Sequence, residues 1–223
     1  MAKHPYSPEQ SPQSLALLPL EGALLLPHTH LPINIFEPRY IELVDYILAT
    51  NRLVGLIQPS LKTTKSQKNI DLFAPIGTIA RLVHFEEIDQ EQYLIVLKGI
   101  TRFRLLKQKR SNKPFYKFEV DNFEFSLDYL NSNISTDDNI IDKEHFLSVM
   151  RPFAEFVDLD IDWELVEKTN IHELVNFASM LAPLDKIEKQ ALLEAKTIAD
   201  RAEILIALAE LKMSRADVGN NLQ

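Results

Sequence analysis

The most informative segment for the fold lies at residues 78–110, TIARLVHFEEIDQEQYLIVLKGITRFRLLKQKR. Its two long apolar runs flank the polar residues Asp89, Gln90 and Glu91, a pattern typical of two antiparallel strands joined by a turn. Gly99 interrupts the second run, and a glycine within a strand often marks a bulge where the strand bends. We therefore predict a long strand pair, bulged at Gly99, within a small, mostly antiparallel sheet or barrel.

Short strands and one helix are predicted on the N-terminal side of this pair. Apolar runs suit strands at residues 15–20 (LALLPL), 23–27 (ALLLP), 31–36 (LPINIF) and 52–58 (RLVGLIQ). Pro38 occupies a favoured first helical position, and the apolar residues after it recur at helical spacing. This pattern predicts a helix over about residues 38–50.

A further strand is expected after the turn at residues 111–114 (SNKP). Phe118 lies on one face of this strand, whereas Phe123 and Phe125 fall on the opposite parity. An inserted residue would restore the register, so we predict a second bulge near residues 121–122.

Past residue 130 the pattern becomes helical. Three pairs have capping-box spacing and mark helix starts: Asn170 with Glu173, Asp185 with Glu188, and Thr197 with Asp200. We predict an α+β protein with a β-sheet or β-barrel subdomain at residues 15–130, a linker at 131–142, a helical bundle at 143–214, and flexible tails at 1–14 and 215–223.

Composition excludes several classes of function. The chain has 223 residues, 46% hydrophobic and 25% charged, and its net charge of −8 disfavours general affinity for nucleic acid. Its five glycines lie far apart and form neither common phosphate-binding motif. Without cysteine, disulfides, thiolate metal sites and cysteine nucleophiles are impossible. No segment has the pattern of a signal peptide or a membrane-spanning helix, so we expect a cytoplasmic protein.

Two histidine clusters are candidate sites for chemistry. His28 and His30 could place two imidazoles on one side of a loop, but no third or fourth metal ligand is identifiable. His172 and Glu173 begin like a zinc-protease motif, although Asn176 stands where the second histidine is required. We predict no metal site, no cofactor and no complete catalytic set.

Residues 98–118 carry the strongest local charge, with eight basic residues and no acidic one. Near the turn, phosphates could be contacted by Lys107, Lys109, Arg110 and Lys113, and neighbouring aromatic rings could stack on bases. We favour an exposed hairpin whose charged edges discourage pairing between sheets, because the rest of the chain is strongly acidic. An RNA-binding surface is the second hypothesis for function.

Three stretches within residues 15–213 carry recognisable motifs. The first, LALLPLEGALLLPHTHLPINIFEPRYIELV, contains an L-P-x-x-I-F-E-x-R-Y segment. The second, PIGTIARLVHFEEIDQEQYLIVLKGITRFRLL, contains G-T-x-A and G-x-x-R-F-R, and the third, FASMLAPLDKIEKQALLEAKTIADRAEILIALAEL, contains L-x-x-x-x-K-Q-x-L-L-E. In this order and spacing they resemble the Lon protease N-terminal (substrate-binding) domain family.

The resemblance implies a PUA-like β-barrel joined to a helical bundle, and a role in recognising unfolded or damaged proteins. We expect a stand-alone, non-enzymatic member, because the chain shows no ATPase or Ser-Lys peptidase module. Its expected partners are unfolded client proteins and a protease or chaperone encoded elsewhere, with no membrane. One departure concerns Pro27 and His28, where the family has proline and glycine: a turn that needs a positive φ would be strained there.

Candidate protein-binding residues follow from the same resemblance. The apolar residues nearest the matching motifs are Leu31, Phe36, Tyr40 and Phe103. We expect them in a groove between barrel and bundle, although each also has the character of a core residue.

Overall fold

The computed structural model describes residues 11–60, 72–89, 92–129 and 141–220, without the side chains of the last four. The chain divides into two compact units, Met1–Asn131 and Ser132–Gln223. Within the described residues, the first unit contains a mixed sheet and one α-helix, and the second contains five α-helices. The protein is therefore α+β. Most of the predicted linker at residues 131–142 lies outside the described residues.

Six strands form the sheet: β1 (Ser14–Pro19), β2 (His30–Ile35), β3 (Leu53–Ile57), β4 (Ile76–Asp89), β5 (Gln92–Lys109) and β6 (Lys117–Asp121). Their order is β2-β5-β4-β3-β1-β6, and β6 also pairs with β5. The pairings therefore lead from β5 through β4, β3, β1 and β6 back to β5. Strands β1 and β3 are parallel, and the other described pairs are antiparallel.

The predicted long strand pair is present as β4 and β5. The register shifts between the pairs Ile79–Thr101 and Ala80–Gly99, which places a bulge beside Gly99 as predicted. A Cβ at Gly99 would lie 2.1 Å from the carbonyl oxygen of Leu26. The bulge depends on glycine because the backbone before β2 crosses it so closely.

The core of the first unit is centred on Phe103 and Phe118, which are fully buried. The Phe103 ring lies against Gly55 and Gly77. A Cβ added at Gly77 would lie only 2.7 Å from Cζ of Phe103. Strand β3 is buried along its whole length, as its apolar sequence predicts. Helix α1 (Pro38–Leu48) begins at its proline, also as predicted.

The strand predicted at residues 23–27 is absent. Leu24, Leu25 and Leu26 are buried, but they belong to no strand ladder. The Leu25 carbonyl instead accepts a hydrogen bond from Thr78 Oγ1 at 2.6 Å. This apolar run is therefore buried without regular strand pairing, because the Thr78 side chain provides a hydrogen bond to its backbone.

The second bulge, predicted near residues 121–122, is also absent. Strand β6 ends at Asp121, whose carboxylate accepts a hydrogen bond from the Phe123 N–H at 3.0 Å, and 3₁₀ turns follow at Phe123–Tyr129. The change of parity marks the end of the strand. The irregularity opposite β6 lies in β5, where the register shifts between Leu105 and Gln108.

Both predicted tails were too long. Strand β1 starts at Ser14, and the Gln13 carbonyl accepts a hydrogen bond from the Val120 N–H at 3.0 Å. The first ten residues of the tail predicted at 1–14 lie outside the described residues. The tail predicted at 215–223 is helical as far as Asn220, because lysine, methionine and arginine near residue 213 favour continuation of the helix.

Five helices form the described part of the second unit: α2 (Lys143–Phe156), α3 (Trp163–Lys168), α4 (Ile171–Leu181), α5 (Lys186–Glu194) and α6 (Ile198–Asn220). All three predicted capping pairs are present. In each pair the side chain of the first residue accepts a hydrogen bond from the backbone N–H of the second: Asn170 from Glu173, Asp185 from Glu188, and Thr197 from Asp200. Helix α6 packs against α2, α4 and α5. None of the helices that the structure describes combines the length and apolar composition needed to span a bilayer.

Candidate functional site

Helices α2, α3 and α4 and the segment between α2 and α3 enclose an apolar pocket of about 100 Å³. None of the lining side chains is ionisable: Phe146, Leu147, Met150, Phe153, Ala154, Leu159, Ile161, Trp163, Val166, Leu174, Phe177, Ala178, Leu181 and Ala182. Such a pocket binds apolar groups by removing them from water, and these side chains provide no acid, base or nucleophile. A cavity of about 150 Å³ holds a benzene ring, so this one has room for about one small apolar side chain.

Helix α2 supplies the floor of the pocket. Phe146, Met150 and Phe153 recur at helical spacing and are buried. Asp142 caps the start of this helix, and its carboxylate accepts hydrogen bonds from two backbone N–H groups of the first turn at 2.9 and 3.1 Å. Capping chemistry therefore sets where the helix starts and which residues face the pocket.

Helix α4 has apolar residues on two faces. Val175 and Ser179 are fully buried on one face. On the adjacent face, Leu174, Phe177 and Leu181 line the pocket, and the last two are 47% and 59% exposed. Part of the pocket wall is therefore accessible to another molecule.

Contacts between α2 and α3 position one wall of the pocket. The Arg151 guanidinium lies 4.6 Å from the centroid of the Trp163 ring and donates to Glu167 Oε1 at 3.0 Å. Lys143 Nζ donates to the backbone carbonyls of Glu167 and Thr169 at 2.8 and 2.7 Å. These contacts hold the indole ring of α3 against α2.

The four predicted protein-binding residues differ in exposure. Phe103 is fully buried in the core, so it is not available for contact with another protein, which corrects that prediction. Tyr40 is also buried, and burial raises the pKa of its phenol. Leu31 is half-buried in β2, and Phe36 is 68% exposed. Of the four, Phe36 and Leu31 retain accessible apolar surface.

Within the part of the chain that the structure describes, four of the eight basic residues in the segment 98–118 are paired with carboxylates. The pairs are Lys113 with Glu42 (2.9 Å), Lys109 with Glu119 (3.8 Å), Arg104 with Glu124 (2.6 Å) and Arg102 with Asp128 (2.9 Å). All four carboxylates lie outside the segment, so its sequence alone overstated its charge. Of the four predicted phosphate contacts, Lys107 and Arg110 are the two with no such pair to a described residue.

The predicted pair of histidines does not assemble a metal site in the described part of the chain. No group of three or more histidine, cysteine, aspartate or glutamate side chains there could hold a metal ion. His28 Nε2 donates to the Asp128 carbonyl at 2.8 Å. His30 lies opposite Lys98 in the β2–β5 register, and burial together with the Lys98 charge lowers the pKa of its imidazole.

Sequence reasoning missed the apolar pocket. A signal was present in α4, IHELVNFASML, because its apolar residues occupy more than one helical face. Periodicity does not reveal which of these faces a neighbouring helix will cover. Val175 and Phe177 are equally plausible core residues by sequence, yet the first is fully buried and the second half-exposed.

The fold and the pocket define an α+β protein with an apolar pocket lined by helices. The sequence profile of the ATP-dependent protease La (LON) substrate-binding domain matches residues 14–210. The chain belongs to this family.

Solved structures of the family have the same fold. A Lon N-terminal domain protein from Xanthomonas campestris covers 87% of this chain and 97% of its own, with 24% identity and a TM-score of 0.59. The N-terminal domain of the Mycobacterium avium complex Lon protease covers 88% of this chain and 98% of its own, with 15% identity and a TM-score of 0.63.

The chain spans a quarter or less of two Lon proteases that it resembles. Lon protease 2 of Myxococcus xanthus is 23% identical over 220 residues, which is 96% of this chain and 25% of that protein. Lon protease of Desulfosudis oleivorans is 31% identical over 96 residues, 43% of this chain and 12% of that protein. The likeness therefore concerns the substrate-binding domain.

Proposed function

We propose that this chain is a non-catalytic protein-binding module that recognises apolar segments of unfolded or partner proteins in protein quality control. The observation that carries the proposal is the apolar pocket of α2, α3 and α4, with Phe177 and Leu181 accessible in its wall. Membership of a substrate-binding family supports the same role. Each Å² of apolar surface removed from water contributes about 25 cal/mol, so burial of one apolar side chain in the pocket contributes about 1.5–3 kcal/mol.

The proposal includes the architecture and the cellular setting. The strand pairings that return to β5 support a PUA-like β-barrel at residues 15–130, and the packing of α6 supports a helical bundle at 143–214. A chain without cysteine suits the reducing cytoplasm. The proposed partners are unfolded clients and a protease or chaperone encoded elsewhere.

RNA binding by residues 98–118 is the less favoured alternative. Lys109 and Lys113 already have carboxylate partners, and the net charge of the chain is −8. An RNA phosphate would have to displace those carboxylates and overcome the acidic field. Protein binding requires neither.

Two glutamine substitutions in the full chain test the role of the pocket. Phe177→Gln with Leu181→Gln removes the accessible apolar wall and retains residues that are compatible with a helix. We expect the affinity for a reduced, carboxymethylated protein that cannot refold to fall at least tenfold, since each lost apolar contact contributes about 1 kcal/mol. Fluorescence anisotropy with the labelled unfolded protein measures the change.

The matched control is Phe156→Gln with Ile187→Gln. These residues are 47% and 60% exposed, and neither lines the pocket, so the control removes similar apolar surface elsewhere on the same unit. We expect it to bind like the parent. Equal losses in both variants would refute the pocket as the site, and absence of binding by the parent would refute the function.

A further inference from the structure

An acidic run borders the apolar pocket. Residues 152–167 contain six acidic residues and no basic one. Within the run, three pocket-lining residues (Leu159, Ile161 and Trp163) alternate with three exposed aspartates (Asp158, Asp160 and Asp162). The same short segment therefore provides apolar wall and negative charge.

Hydrogen bonds hold both ends of this segment. Helix α2 terminates with Asp158 in the left-handed conformation, φ 56°, and with the Leu159 N–H donating to the Ala154 carbonyl at 2.9 Å. At the other end, Asp162 caps α3 by accepting from the Leu165 N–H at 3.1 Å. Asp158 and Asp162 are consequently held beside the pocket by the local backbone, and Asp160 lies between them.

The charges in a depression next to the pocket are balanced. Lys143, Glu144, Arg151 and Glu167 line a shallow depression that shares Leu147 with the pocket. Two are positive and two negative, and Arg151 is paired with Glu167. In the described part of the chain, none of the three aspartates is paired with a basic residue. The rim formed by the aspartates is therefore net negative and complementary to cations.

We propose that the pocket selects apolar segments flanked by basic residues. An apolar anchor fills the pocket, while lysine or arginine side chains next to it face the three aspartates. This inference rests on the proposed function, because it specifies the client class of the same pocket. Charges in water interact over about 10 Å at 0.1 M salt, so only basic residues close to the anchor contribute.

Three labelled peptides test the selection. They share an Ala-Leu-Ala core, whose single leucine matches the size of the pocket, and carry two lysines, two glutamines or two glutamates on each side. We expect the parent protein to bind the lysine peptide about tenfold more tightly than the glutamine peptide at low salt, and the glutamate peptide most weakly. At about 1 M salt, where charges interact over only about 3 Å, the three affinities should converge.

A triple variant assigns the preference to the rim. Asp158→Asn, Asp160→Asn and Asp162→Asn remove the charge but preserve the local backbone, because asparagine tolerates positive φ and caps helices as well as aspartate does. The lysine peptide should then bind no better than the glutamine peptide, whose affinity should not change. The control removes equal charge from α5 and α6, which do not line the pocket: Glu194→Gln, Glu203→Gln and Glu210→Gln. It should retain the preference.

The outcomes separate this inference from the function on which it rests. Equal binding of the lysine and glutamine peptides by the parent overturns the selection and leaves the proposed function intact. Loss of the preference in the control as well as in the rim variant assigns it to net charge, which also overturns the inference. Failure of the parent to bind the glutamine peptide overturns both proposals.

Discussion

His28 adopts a φ of 66°, the left-handed conformation that favours glycine. Its N–H donates to the Gly99 carbonyl at 3.0 Å, and its Nε2 donates to the Asp128 carbonyl at 2.8 Å. The left-handed conformation costs about 1–2 kcal/mol in a residue with a Cβ, and these two hydrogen bonds offset much of it. The His28 side chain thus stabilises a conformation that would favour glycine, by bonding to the 3₁₀ turns after β6.

Arg102 and Asp128 form a buried ion pair whose side chains are 6% and 9% exposed. Arg102→Met would leave the carboxylate buried without its partner, so we expect the free energy of unfolding to fall by about 3–5 kcal/mol. Urea denaturation measures the change. Arg104→Met is the control, because its partner Glu124 is 43% exposed and the expected loss is below about 1 kcal/mol. Similar losses in the two variants would contradict this prediction.

Among the elements, strand β5 organises the first unit. It pairs with β2, β4 and β6, and its register shifts once against β6 and at three places against β4. Irregularities of this kind bend and twist a strand, which allows one long strand to pair with several partners. The bulge at Gly99 also brings β5 against the backbone carbonyl of Leu26.

Gly99→Ala tests the bulge. The new Cβ would meet a backbone oxygen, which cannot rotate away, so we expect at least about 3 kcal/mol of destabilisation in thermal or urea unfolding. Gly22→Ala is the comparison. Gly22 has a φ of 72°, but a Cβ added there would have no heavy atom within 4 Å, so the expected cost is about 1 kcal/mol from the backbone alone. A smaller loss of stability in Gly99→Ala than in Gly22→Ala would contradict this prediction. It would show that the backbone at the bulge moves to accommodate the added Cβ.

Across the whole molecule, the distribution of charge separates the two candidate functions. We expect the replacement of Lys107, Lys109, Arg110 and Lys113 by glutamine to leave the affinity for an unfolded protein within about twofold, since apolar burial is not screened by salt. The RNA affinity of the parent should be no tighter than nonspecific. If all four residues contacted phosphates, log K for RNA binding would instead fall with log salt concentration at a slope of about −3. Tight RNA binding with that slope, lost in the variant, would replace protein binding with RNA binding as the function.

Features that depend on neighbouring residues could be predicted from the amino-acid sequence. The strand pair with its bulge at Gly99, the helix start at Pro38 and the cap at Asp185 all follow from local backbone chemistry and spacing. The family motifs are equally local, because they are read from residue types in order. These features require no knowledge of what a segment packs against.

Which surfaces are covered and which charges meet depends instead on the packing of distant segments. The end of β6 at Asp121 and the pairing of Lys113 with Glu42, 71 positions earlier in the chain, were not visible in the sequence. The exposure of Phe177 beside the burial of Val175 was equally hidden. Burial and ion pairing are set by residues distant in sequence, so an apolar stripe predicts that a helix has partners but not which of its faces they leave open.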